Sequence, residues 1–223
     1  MAPAANRRVG ATQADVKIDI VVVDYGMGNL GSVINAFERL GARCRPASTP
    51  EALAGGGGIV LPGVGAFHSA MQNLKTRDLI EPLTDLVMRQ RTPFLGVCLG
   101  MQLVASESFE GGRTQGLGWV DGRVVKLSPG NLRVPHVGWN EALVRQKRGL
   151  FAGLDSEISF YFDHSFALEC DQELVTATCE YGGEHTAAIQ YGNIQAVQFH
   201  PEKSQRNGLR VLRNFLNFAN AKT

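Results

Sequence analysis

The sequence holds only four cysteines, Cys44, Cys98, Cys170 and Cys179, and no two of them form a C-x-x-C pair. That spacing argues against a zinc site or a disulfide framework. Three of the four are expected to be free thiols that behave as small buried hydrophobes. An excess of one charge is also missing. Lys and Arg number 22 against 21 Asp and Glu, a net charge of +1. Nothing therefore marks a general affinity for nucleic acid or membrane. No apolar run is long enough to span a bilayer. Residues 1–17, MAPAANRRVGATQADVK, lack the apolar centre of a secretory signal. They are expected to form a disordered extension of a cytoplasmic protein, and 18–223 a single domain with one sizeable core. There is no repeat, no low-complexity segment, no P-loop and no cluster that suggests a metal or cofactor.

What is present is alternation. Short apolar runs at 18–23, 58–61 and 94–97 are followed by helix-like segments at 30–40, 67–90 (with a break near Pro82) and 101–109. This βαβα rhythm predicts an α/β fold with a mostly parallel central sheet and helices on both faces, three layers in all. Beyond Gly111 the texture changes. Short β-like stretches at 119–127, 141–144, 159–162, 175–180, 186–191 and 193–198 are separated by polar turns and predict added antiparallel strands. An amphipathic helix at 207–220 closes the chain.

The first strand runs into DYGMGNLGSV, a G-x-G-x-x-G turn. A dinucleotide site of that form needs an acidic residue about 20 positions on, to hold the ribose. Here that region reads Ala42-Arg43-Cys44-Arg45-Pro46, with no acid and a proline expected to break the second strand. The arginines keep a 2′-phosphate variant open. A turn that simply needs positive φ, and an exposed loop that meets a partner, remain as alternatives.

The stretch TPFLGVCLGMQ carries more chemistry. A strand leads straight into Cys98, with Gly96 and Gly100 on either side and a helix after it. This is the thiol form of the nucleophile elbow, in which small neighbours allow a tight, strained turn. The elbow sets the thiol among the free amides of a helix start, which favour its anionic form. The Leu99 amide then points where an oxyanion would develop. A nucleophile needs a base, and the base an orienting group. IQAVQFHPEKS supplies His200 at a strand end and Glu202 two residues on. LPGVGAF offers a second glycine-rich turn whose amides suit an oxyanion site, although a plain β-turn has the same look.

GVCLGMQ with VQFHPEKS resembles the class I glutamine amidotransferases. DYGMGNLGSV, LPGVGAF, VPHVGWN and YFDHSF narrow the resemblance to the glutaminase subunits of imidazole glycerol phosphate synthase, from about Ile18 to the end of the chain. The resemblance implies the flavodoxin-like α/β architecture of that class. It implies Cys98 as nucleophile with His200 and Glu202, and an oxyanion hole from Val64 and Leu99. Substrate contacts would fall at Gly63, Gly65, Gln102, His164 and Ser165. It also implies a partner, a (β/α)8-barrel cyclase subunit in a heterodimer, met by Asn29, Trp139 and Tyr161, and no cofactor. On that reading the DYGMGN glycines belong to a contact loop. Asp163 and Phe166 depart from the family's usual apolar residue and tyrosine, which bears on the substrate contacts beside them. Val97 replaces the more usual isoleucine.

Overall fold

The structure is a computed structural model and describes residues 18–222. The expected extension at 1–17 lies outside the described residues. Strand β1 (Asp19–Val23) is, after Asp19, a run of four β-branched residues buried on both faces. Its side chains alternate between two cores: Val21 and Val23 enter one, Ile20 and Val22 the other. Helix α1 (Leu30–Glu38) starts at Asn29, whose side chain accepts the Ser32 amide. Strand β2 (Arg43–Ala47) pairs with β1 alone, at the sheet edge. Pro46 does not break it as expected, because an edge strand needs no amide on its outer side. Helix α2 (Pro50–Leu53) leads into β3 (Gly58–Gly63), which delivers the PGVG turn.

Helices α3 (Phe67–Thr76) and α4 (Ile80–Thr84) replace the single helix expected over 67–90. The break comes earlier than Pro82, at 77–79, where Asp78 has a φ of 55°. Pro82 itself sits in the first turn of α4, where a missing amide costs no helical bond. The segment then runs on as a π turn, Asp85–Arg89. Strand β4 (Phe94–Cys98) and helix α5 (Leu99–Leu103) follow.

Here the sequence misleads. A helix is expected over 101–109, yet α5 stops at Leu103 and β5 (Ala105–Ser108) is a strand. It pairs with β6 (Thr114–Gln115) and β7 (Val120–Lys126), and that pairing outweighs the local preference. The remaining elements are β8 (His136–Val144), β9 (Glu157–His164), β10 (Phe166–Cys170), β11 (Val175–Glu180), β12 (Glu184–Tyr191), β13 (Ile194–Val197) and α6 (Gln205–Asn220).

The main sheet has nine strands in the order β2-β1-β3-β4-β13-β12-β11-β8-β9. From β2 to β13 the neighbours are parallel. From β13 to β9 they are antiparallel, the expected addition. A second sheet, β10-β7-β5-β6, goes beyond what the sequence pattern predicts. It joins α3 and α4 over one face of the main sheet, where Val120, Val124 and Leu168 share a core with Phe67, Leu74 and Leu83. The other face is covered by α1 and α6, through Phe37, Val211 and Phe215. Helix α6 turns Gly208, Val211, Leu212, Phe215 and Ala219 inward, the spacing of one helical face. Each fully buried Val, Leu or Phe contributes about 1.5–3 kcal/mol.

Candidate active site

Cys98 ends β4 and caps α5, with φ 53° and ψ −108°. Such a backbone costs a non-glycine residue about 1–3 kcal/mol and persists only where the surroundings impose it. The flanking glycines show what imposes it. A methyl group at Gly96 would lie 2.6 Å from the Gly100 carbonyl oxygen, and one at Gly100 only 1.8 Å from that of Leu61. Strand, turn and helix therefore meet backbone to backbone. Helix α5 has five residues, so the dipole expected behind the thiol reduces to the free amides of one turn.

His200 leaves the end of β13, the parallel neighbour of β4, with Val197 opposite Val97. Glu202 follows in the turn Pro201–Lys203. The His200 Nδ1 lies 2.8 Å from Glu202 Oε1, and both side chains are 3% exposed. The His200 amide donates to the Tyr161 carbonyl at 2.8 Å. The Ser204 hydroxyl donates to the His200 carbonyl at 2.6 Å and accepts the Tyr161 amide at 2.9 Å. Burial opposes a charge on the imidazole, but Cys98 and Glu202 overcome it and push His200 up to about 10. Its Nε2 is buried with no hydrogen bond of its own.

A cleft of about 440 Å³ opens in front of the thiol. It brings Val64, Gly65, Leu99, Gln102, His164 and Ser165 into one wall with Cys98. Gly63 is not in the wall. It is buried at the end of β3, where a methyl group would lie 2.3 Å from the Tyr25 hydroxyl oxygen and 2.9 Å from the Leu99 Cβ. The cleft also holds Glu110, which no sequence motif marks. Its Oε2 accepts the Phe67 amide at 2.7 Å, capping α3, which has no side-chain cap of its own.

Behind the cleft runs a chain of buried amides and imidazoles. Gln102 Nε2 donates to the Phe166 carbonyl at 2.9 Å and to Gln198 Oε1 at 3.0 Å. Gln198 Nε2 reaches the Cys98 sulfur at 3.7 Å, and the sulfur reaches the Asp163 carbonyl at the same distance. On the other side His164 Nδ1 lies 2.8 Å from the Phe166 carbonyl. A carbonyl only accepts, so Nδ1 carries the proton. His164 Nε2 then accepts from His136 Nδ1 at 2.9 Å, and His136 Nε2 from Asn140 at 3.2 Å. Burial, with the neighbouring imidazoles, lowers both His136 and His164 to about 4. Neither His136 nor Gln198 is identifiable from the sequence, because both act through side-chain contacts that only the fold creates.

The two departures from the family pattern matter less than their position suggests. Asp163 and Phe166 meet this network through backbone carbonyls. The Asp163 carboxylate is half-exposed and lies 4.0 Å from Lys203. Of the expected partner contacts, Trp139 and Tyr161 pair across β8 and β9 with ring centroids 6.3 Å apart, and Trp139 is 50% exposed. Asn29 lies elsewhere, engaged in capping α1. That cap and the Arg77 guanidinium packed against Gly26 fill the turn where a pyrophosphate would need open amides.

The strained Cys98 turn, the buried His200–Glu202 contact just past the end of the adjacent strand and the glycine turn at Val64–Gly65 lie together at one end of the parallel sheet. The model of the family glutamine amidotransferase class-I matches residues 21–218, and the chain belongs to that family. Among solved structures, the crystal structure of a glutamine amidotransferase shares the fold. Its TM-score is 0.72 at 20% identity, covering 90% of this chain and 98% of that one.

Within the family the chain groups with the HisH subunits of imidazole glycerol phosphate synthase. It is 46% identical over 198 residues to imidazole glycerol phosphate synthase subunit HisH 1 of Campylobacter jejuni, covering 88% of this chain and 98% of the relative. It is 46% identical over 202 residues to the HisH subunit of Methanothermobacter thermautotrophicus, covering 91% and 100%. No helix among the described residues is long and apolar enough to cross a membrane.

Proposed function

We propose that this chain hydrolyses glutamine to glutamate and ammonia as the glutaminase subunit of imidazole glycerol phosphate synthase, with Cys98, His200 and Glu202 as its catalytic residues. The observation that carries the assignment of residues is the buried 2.8 Å contact between His200 and Glu202, just past the end of the strand that pairs with the Cys98 strand. Glutamine enters the cleft with its carboxamide at the sulfur. Glu110 is an acid on the cleft wall and complements the substrate ammonium group. Both Gln102 amide hydrogens are committed to protein oxygens, so its carbonyl is the atom left for substrate.

The thiolate attacks the amide carbon. The carbonyl oxygen becomes an oxyanion held by the Val64 and Leu99 amides, each such donor being worth about 3–4 kcal/mol. The His200 imidazolium gives its proton to the departing ammonia, leaving a γ-glutamyl thioester. The now neutral imidazole takes a proton from water, whose oxygen attacks the thioester carbon, and glutamate is released as the sulfur regains its lone pair. Glu202 holds the Nδ1 proton throughout, which keeps Nε2 as the working nitrogen.

Ammonia set free in neutral water is protonated and lost. Its acceptor is therefore a partner, a (β/α)8-barrel cyclase subunit that forms imidazole glycerol phosphate and an aminoimidazole carboxamide nucleotide. The exposed Trp139, with Tyr161 edge-on beside it, is the surface we assign to that heterodimer; Asn29, at the start of α1, would meet the partner as a separate contact. A cytoplasmic location fits the free thiols. The test is glutamate release from glutamine by the chain alone and with the cyclase subunit. Release that rises with the cyclase and vanishes in Cys98→Ala supports the reading; release that persists in Cys98→Ala overturns it.

A further inference from the structure

Gln198 stands two residues before His200, fully buried on the far side of the nucleophile from solvent. We infer that its carboxamide is a catalytic donor to the Cys98 sulfur and, through its other end, sets the orientation of Gln102. This deepens the glutaminase assignment and rests on Cys98 being the nucleophile.

The orientation of the two amides follows from one carbonyl. Phe166 O can only accept, so Gln102 must turn its nitrogen toward it. That nitrogen has a second hydrogen, and the Gln198 oxygen 3.0 Å away takes it. Gln198 is left with its own nitrogen facing the sulfur at 3.7 Å. Reversing either amide would set nitrogen against nitrogen or oxygen against oxygen in a buried site, where an unmade hydrogen bond is costly.

The second contact of the sulfur gives this donor its importance. As a thiol, Cys98 can donate to the Asp163 carbonyl, 3.7 Å away, and accept from Gln198. Once the proton is gone, the Asp163 carbonyl faces an anion and repels it. The Gln198 N–H then adds to the charged His200 imidazole, which also faces the sulfur, in offsetting this repulsion, because hydrogen bonds to charged groups are the stronger kind. The same carboxamide holds Gln102 with its carbonyl free for substrate. One buried side chain thus serves the nucleophile and the substrate contact by different atoms, and the two functions separate on mutation.

The experiment is alkylation of Cys98 by iodoacetamide at pH 7 and pH 10 in the full chain, with glutamine turnover measured beside it. Gln198→Leu removes donor and acceptor. Gln198→Glu keeps an oxygen for Gln102 and loses the N–H. Alkylation at pH 7 should slow about tenfold in both, with the pH 10 rate within about twofold of the parent. For Gln198→Glu, kcat should fall at least tenfold while KM stays within about threefold; Gln198→Leu should raise KM as well. A purely structural role would lower folded protein and change both pH values alike.

The unmutated side chain gives a readout that needs no Gln198 variant to fold. The Gln198 side-chain amide protons, followed by nuclear magnetic resonance, should shift when Cys98→Ala removes their acceptor. An unchanged pH 7 to pH 10 ratio in a folded variant, or no shift in Cys98→Ala, overturns the inference. Neither result would touch the glutaminase assignment, which fails only if Cys98→Ala still releases glutamate.

Discussion

His136 and His164 share a single proton between rings, with Nδ1 of the first 2.9 Å from Nε2 of the second, and both are buried. The bond requires His164 to be neutral, since its Nε2 accepts, and the Asn140 amide that donates to His136 Nε2 requires the same of His136. Their folded values of about 4 lie below the unfolded value of 6.5. Stability from this pair is therefore fully present above pH 6.5 and is lost as pH falls toward 4. Each group can contribute a slope of up to roughly 1.4 kcal/mol per pH unit within that window. Thermal melts between pH 7.5 and 4 should show this fall, and His136→Gln should flatten it. An equal acid loss in that variant would place the cause elsewhere. His200 works in the opposite direction: its value is raised to about 10, so its contribution is present below pH 6.5 and lost as pH rises through 10.

The strain at Cys98 separates stability from activity. Cys98→Ala keeps the side-chain carbon and hence the strained φ of 53°, whereas Cys98→Gly relieves it. Both should abolish glutaminase activity. Only Cys98→Gly should also gain stability, by about 1 kcal/mol, since glycine adopts positive φ without penalty. Calorimetry of the two variants distinguishes them, and equal melting temperatures would mean that the turn is not strained.

Glu202→Gln tests the orienting carboxylate. The amide preserves the shape of the side chain but removes the charge from a 2.8 Å contact that is 3% exposed. Glutamate release should drop at least tenfold in kcat, and KM for glutamine should stay within about threefold, because Glu202 is absent from the cleft wall. A rise confined to KM would contradict the role.

Two glycine substitutions should move in opposite directions. Gly100→Ala drives a methyl group onto the Leu61 carbonyl oxygen and should cost more than about 3 kcal/mol, comparable to severe core overpacking. Gly31→Ala, in α1 with nothing within 4 Å of the new methyl, should gain roughly 0.5 kcal/mol from helix propensity. Urea denaturation of both variants is the check.

Trp139 offers a test of the partner surface. Half-exposed and supported edge-on by Tyr161, it has the character of an interface anchor. Trp139→Ala should weaken binding of the cyclase subunit by about 2 kcal/mol, some thirtyfold, and leave the melting temperature of the free chain nearly unchanged. Unaltered affinity in a titration would remove Trp139 from the interface.

The elbow and its partners are legible in the sequence because their chemistry is local. Gly96-Val97-Cys98-Leu99-Gly100 and His200-Pro201-Glu202 each state their own geometry within a few residues. The parallel core is legible because strands buried on both faces are continuous apolar runs. What stays hidden depends on distant partners. Ala105–Ser108 carries no β-branched residue and becomes a strand only because β7 lies beside it. Pro46 misleads because being an edge strand is a property of the whole sheet. Glu110 reaches the cleft by capping a helix 43 residues earlier in the chain.

Strands β4 and β13 pair with Val97 against Val197, and Cys98 and His200, the proposed nucleophile and base, leave that ladder one and three residues later. Their separation is thus a count along two hydrogen-bonded rails. A slip of one residue would shift the base by about 3.3 Å and turn its side chain to the other face of the sheet. On the proposed roles, the register of the two strands brings Cys98 and His200 to the same end of the sheet when the chain folds. Surface loops can therefore drift in sequence without detuning the chemistry, while a silent-looking change in the middle of either strand would be felt at the sulfur.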